Sequence, residues 1–207
     1  RGSRHRLPAE LIRDAALSAG DLLVEHLGGP SVKPYQPAGL WRETSNRGYT
    51  QSGGAALYRR SLYTYWKRSV PPPNMSALDA PNREVCTVRR QRTNTPLMAL
   101  VLLNDSTFVE AARGLAARVI RQARPDARAR LAFVLVTARV PDADELAVLR
   151  DLLAEQSARF RGNPAAAKAL LGVGESPRDE TLDAVEHAAW TTVCSVILNL
   201  DEAITRE

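Results

Sequence analysis

Between Leu7 and His26 the apolar positions Leu11, Ile12, Ala15, Ala16, Ala19, Leu22 and Leu23 return every three or four residues, the stripe of an amphipathic helix. Pro8 stands near its first turn and Gly28 just past its end, the usual helix punctuation. The period then fails. From Gly28 to about residue 54 no spacing repeats, and GGPSVKPYQPAGLW alone sets three prolines and three glycines around Tyr35 and Trp41, with Asn46, Gly48, Gly53 and Gly54 following. Proline fixes φ and glycine opens positive φ, so this stretch predicts a shaped loop. Loops of this length are usually functional or disordered.

Leu57 to Val70, LYRRSLYTYWKRSV, alternates Leu62, Thr64 and Trp66 with Tyr63, Tyr65 and Lys67 and predicts a strand, with a helix as the competing reading. Pro71, Pro72 and Pro73 end it. Arg83 to Arg90 alternates again and would pair with it. From Thr95 the pattern is helical: a buried helix from Pro96, then amphipathic ones over Phe108 to Gln122 and from Asp126 to near Arg139. A long one capped by Asp142 or Asp144, a short one from Asn163-Pro164 to Leu171, the loop GVGESPRDE and a last helix over Thr181 to Thr205 complete the chain. The expected class is mainly α, a helical bundle with a long irregular N-terminal loop and a small two-stranded β element.

Charge divides along the chain. Residues 1–92 hold 15 Lys and Arg against 7 Asp and Glu, a balance of +8, whereas the remainder carries −3. Seven of the eleven aromatics precede residue 67. We therefore expect one domain, 1–207, made of a basic, aromatic, loop-rich part (1–92) and a helical part (93–207), cut from the C-terminal end of a longer protein. A tag ending in Arg1, Gly2 and Ser3 is the other reading of the basic start. No run of eighteen apolar residues exists, so no segment is expected to span a membrane. Cys86 and Cys194 match no metal or redox spacing and are expected as buried free thiols, a disulfide being geometrically conceivable.

The ligand-binding candidates are Tyr35 and Trp41 on the loop, with Arg89, Arg90 and Arg92 leading to Asn94. Flat rings stack on sugars, and guanidinium forks grip carboxylate or sulfate, so an acidic glycan suits them. The plainer reading is that the rings plug the loop onto the helical core while the arginines form ion pairs with it, or bond backbone carbonyls that the loop leaves open. Asp79 is the weak catalytic candidate, although a turn residue needs no chemistry to explain it. Asn94 and Asp105 read first as helix caps. His5, His26 and His187 are too scattered for a metal or a nucleophile partner, so no metal site is expected. The net charge of +5 comes without any nucleic-acid-binding motif, and no nucleic-acid partner is expected.

Together, GGPSVKPYQPAGLW, LYRRSLYTYWKRSVPPPNM, DAPNREVCTVRRQRTNTPLMALVLLND and WTTVCSVILNLDEAITRE resemble the planctomycete-specific C-terminal domain of unknown function found in planctomycete-type cytochrome c proteins. The resemblance runs through nearly the whole chain. It implies an extracytoplasmic setting, periplasmic or secreted, with the other domains of the parent chain as partners. It also implies a structural or ligand-contacting role linked to polysaccharide processing. The alternative is a polysaccharide-active enzyme domain with Asp79 and the arginine cluster in a cleft. Cys-x-x-Cys-His is absent, so no cofactor is expected in this domain, and any covalent haem c of the parent lies upstream.

Overall fold

The computed structural model describes residues 5–42 and 48–206; the residues Arg1 to Ser3 and Asn46 discussed above lie outside them. The chain class is as expected, helical with a two-stranded antiparallel sheet. In chain order come β1 (His5–Arg6), α1 (Ala9–Ala19), α2 (Pro73–Ala77), α3 (Pro96–Asn104), α4 (Ser106–Gln122), α5 (Arg128–Thr137), α6 (Ala143–Gly162), α7 (Pro164–Leu171), α8 (Ala184–Leu198), α9 (Asp201–Ile204) and β2 (Thr205–Arg206).

Helices α4 and α8 form the axis of the core. Between them Ala111, Ala112 and Ala116 of α4 are fully buried with Leu115, Val119, Val193 and Ile197, while Ala188 and Ala189 of α8 cluster with Phe160 of α6 and Ala167 and Leu171 of α7. α1 crosses α4, α6 and α7 flank α8, and α3 and α5 lie against α4. The caps match the residue types. Asp105 accepts from the Thr107 amide, Asn163 from that of Ala166, and Asp142 and Glu145 form a capping box. Asp126 does not cap α5, whose N-terminal flank is Ala127 without a side-chain bond.

Several expectations are corrected. α1 stops at Ala19 rather than His26, because Gly20 is pressed onto α4 and Asp21 turns left-handed at φ 57°. The segment 54–63 is neither strand nor α-helix but two short 3-10 turns, Gly54–Tyr58 and Ser61–Tyr63, joined to the loop by single bridges, Val24 with Arg59 and Val32 with Thr64. Residues 83–90 form no strand and are solvent-exposed. The β element instead joins the two ends of the chain, His5 opposite Arg206 and Arg6 opposite Thr205. A pairing between residues two hundred positions apart leaves no local trace.

α3 is not a buried helix. Met98 and Leu102, four residues apart, face the core, while Leu97, Leu100 and Leu103 are exposed. The last helix breaks at Leu198, and α9 resumes three residues later. Both cysteines are free thiols, Cys194 buried and Cys86 exposed, so only one is a core residue. Among the described residues no helix is long and apolar enough to cross a membrane.

Candidate functional site

α2 ends at Ala77 with Leu78 as its C-cap, and Asp79 follows with φ 60°, a left-handed conformation that Asp tolerates better than most residues. The turn aims its carboxylate across the chain at Thr93. Oδ2 accepts from the Thr93 amide at 2.7 Å, the Thr93 hydroxyl lies within 3.0 Å of both carboxylate oxygens, and Arg6 Nη2 donates to Oδ2 at 2.6 Å. Arg6 also donates to the carbonyl of Thr93 at 2.8 Å. Asp79, Thr93 and Arg6 thus clasp the neck of the segment 80–92 and bind it to β1.

Burial works against ionisation of Asp79. The two Thr93 hydrogen bonds and the Arg6 guanidinium outweigh it and hold the carboxyl below its ordinary value. Depression of a folded-state pKa supplies stability above about pH 3.9, the free-chain value, that is lost as pH falls through the folded value. Asp79→Asn is expected to cost about 2 kcal/mol at neutral pH and to converge with the parent protein in acid, as urea melts at pH 7 and pH 2.5 would show.

Beside the clasp lies a cleft of about 300 Å³ lined by Arg6, Leu78, Asp79, Val88 and the run Arg89 to Arg92. Arg90 pairs with Glu10 of α1 at 2.7 Å, and Arg92 approaches His5 Nδ1 at 3.0 Å. Arg89 is exposed and has no hydrogen-bond or ion-pair partner among the described residues. Three of the predicted site residues therefore share one cleft with Asp79.

The others lie elsewhere. Trp41, 7% exposed, packs its ring 5.1 Å from Tyr49 and 6.0 Å from Tyr65, with Lys33 and Lys67 over its face, and Nε1 donates to Gln36. It does not line the Asp79 cleft. Asn94 is exposed beside Thr95, and Thr95 rather than Asn94 caps α3.

Tyr35 points inward. Its hydroxyl donates to Glu110 Oε2 at 3.0 Å and accepts from the Glu175 amide at 2.8 Å; burial and the Tyr58 hydrogen bond push its pKa well up.

Sequence reasoning missed the residue that receives it. Glu110 and Arg113, three apart on α4, are 0% and 3% exposed. Glu110 accepts from Tyr58 at 2.8 Å, from the Ser176 amide at 2.6 Å and from Arg113 at 3.3 Å, while Arg113 donates to the carbonyls of Leu171, Val173 and Ser176. Gly174 packs directly over the carboxylate, where a Cβ would sit 2.4 Å from it. Arg13 repeats the device on α1, donating to the carbonyls of Leu57 and Arg59 while Asp14 accepts from the Ser61 amide. Arg59 in turn holds the carbonyls of His26 and Pro30 and covers the Tyr63 ring.

Loop carbonyls are thus satisfied by Arg6, Arg13, Arg59 and Arg113, and among the described residues by none of Arg89, Arg90 and Arg92. A Glu and an Arg three apart inside an Ala-rich amphipathic pattern was the one available signal.

Among the described residues no cluster of His, Cys, Asp and Glu could hold a metal ion. The family PSD1, described as a protein of unknown function (DUF1553), matches residues 1–153. This chain belongs to the DUF1553 family. No curated protein and no solved structure matches it. The matched span of this DUF1553 chain contains the Asp79 clasp, the arginine run and the Glu110–Arg113 pair. Its partners Leu171, Val173 and Ser176 and the axial helix α8 follow the matched span, so the buried network joins the DUF1553 region to the helices after it.

Proposed function

We propose that this DUF1553 domain is a ligand-contacting module of a multidomain, extracytoplasmic protein concerned with polysaccharide, and that it offers the Arg89–Arg92 run to an acidic glycan. One observation carries the choice of binding over catalysis: the Asp79 carboxylate is engaged by Arg6 and by both donors of Thr93. A carboxylate so occupied anchors a segment and has no proton to give. Arg89, unpartnered on the same cleft, and Arg92 on its rim are what the anchor presents.

The extracytoplasmic setting, the cytochrome c company and any haem c upstream in the parent chain rest on the resemblance of the quoted strings to the C-terminal domains of planctomycete-type cytochrome c proteins. We assign the exposed row Leu97, Leu100 and Leu103 of α3 to contact with another domain of that parent.

The test is elution from immobilised heparin and alginate beside a plain sulfopropyl exchanger. Arg89→Ala/Arg92→Ala is expected to elute from the glycans at markedly lower salt, a loss of about tenfold in affinity, with a smaller change on the exchanger. Equal shifts on all three columns would reduce the run to general surface charge.

The second reading, a polysaccharide-active enzyme, draws on Asp79, Arg89 and Arg92 lining one cleft. It requires release of new reducing ends from such glycans that Asp79→Asn abolishes.

A further inference from the structure

α1 and α5 lie in contact, and between them the surface opens into a cleft of about 340 Å³ that shares no residue with the Asp79 cleft. That volume lies in the range of small-molecule sites, about 300–1,000 Å³. Leu135 and Val136 of α5, both half-buried, form one wall, and Phe108, Leu198 and Ile204, each buried, lie beneath. Apart from Arg118, Arg206 and Ser18, every side chain lining it is apolar.

Its two charges are both positive. Arg118 donates to the carbonyl of Ala19 at 3.2 Å, and Arg206 to that of Glu202 at 3.3 Å. Neither has an ion-pair partner among the described residues, and among them no carboxylate lines the cleft. Glu202, whose carbonyl Arg206 uses, commits both carboxylate oxygens to Arg139. Asp21 shares with Arg118 a separate cleft between α1 and α4 and does not line this one.

The fold brings these two arginines in from opposite ends of α1. Ala19, which holds Arg118, is the last residue of the helix, whereas Arg206 sits in β2 opposite His5, before the helix begins. Between the two ends the α1 wall runs from Ile12 to Ala19, about 10 Å at 1.5 Å per residue. Guanidinium groups ask for carboxylates, which they hold through paired hydrogen bonds, and the aliphatic side chains between them ask for a body that sheds water. A single carboxylate would answer one arginine and leave the other without a counter-charge.

We propose that this cleft binds a linear dicarboxylate with an aliphatic spacer, of about the length of suberate. One carboxylate sits on Arg118 and the other on Arg206, and the methylene chain lies along Ala15 and Ala16 against Leu135 and Val136. Octanoate has the spacer with one charge, succinate both charges without the length, and galactarate both charges on a hydroxylated body, so none of these meets every demand.

The experiment follows the ¹³C-methyl resonances of Leu135, Val136 and Leu198 in the whole chain, titrated with each of the four acids. Suberate is expected to shift them and to saturate at least about tenfold more tightly than octanoate, succinate or galactarate. Arg206→Gln should weaken suberate by a similar factor with an unchanged melting temperature, because the exposed Arg206 side chain bonds a single backbone carbonyl. Arg89→Ala/Arg92→Ala should leave suberate binding intact. Any of the other three acids binding within about tenfold of suberate, an Arg206→Gln chain that holds suberate as the parent does, or methyl resonances that none of the four moves, would overturn the proposal.

Discussion

Glu110→Gln is expected to lower the stability of this chain by about 3–5 kcal/mol, the cost of leaving one member of a buried ion pair without its counter-charge. The amide oxygen can still accept from Tyr58 and from the Ser176 amide, but the amide nitrogen takes the place of the oxygen that accepts from Tyr35, so the loss reports the charge together with that one reversed hydrogen bond. Arg113, 3% exposed, would keep its carbonyl partners but lose the negative charge that offsets its desolvation. Urea unfolding at pH 7 should show a lower midpoint with an unchanged slope. Glu110→Gln/Arg113→Met should be less damaging than the two single changes summed, because the second substitution removes the charge that the first strands. A cost for Glu110→Gln below about 1 kcal/mol, the size of an ordinary hydrogen bond, would show that the pair does not organise the core.

Gly114→Ala is expected to be nearly as harmful, at about 3 kcal/mol, the upper end of overpacking in a close-packed core. A Cβ at Gly114 would lie 2.2 Å from the carbonyl oxygen of Gly20, and one at Gly20 would lie 2.5 Å from that of Ala111. Both obstacles are backbone, which cannot swing aside as a side chain does. For a chain of this size the melting temperature should fall by about 6–12 °C. Gly20→Ala should behave alike, and the double variant should cost less than the sum, since one separation of α1 from α4 relieves both contacts. A Gly114→Ala protein that melts within about 2 °C of its parent would mean that the helices do not meet there.

How far the chain is readable depends on the range of the force concerned. The helices after Thr95 are legible because caps and apolar spacing act within a few residues: Asp105, Asp142 and Asn163 cap where their types suggest. The alternation over Leu57 to Val70 misleads because among the described residues no neighbouring strand accepts it, only single bridges. Arg13 instead takes the carbonyls of Leu57 and Arg59, and the backbone settles into 3-10 turns. For the candidate site, Asp79 and Arg89 to Arg92 are near enough in sequence for a turn to gather them, and they do share a cleft. Tyr35 and Trp41 were grouped with them by chemistry alone; a hydroxyl on Glu110 and a ring against Tyr49 draw them to other places.

Read alone, the residues 1–207 settle the helical class, the positions of most helix ends after residue 95, the irregularity of the loop after Gly28, and the basic character of the first half. Those properties follow from local propensity and from the spacing of apolar side chains, and neither needs a distant partner. Folding in three dimensions settled the rest: which arginines are buried, which end of the chain pairs with which, and where Glu110 finds Tyr35, Tyr58 and Ser176. Such contacts join residues from 52 to about two hundred positions apart, and a charged side chain reveals whether it is solvated or enclosed only once the groups that enclose it have arrived.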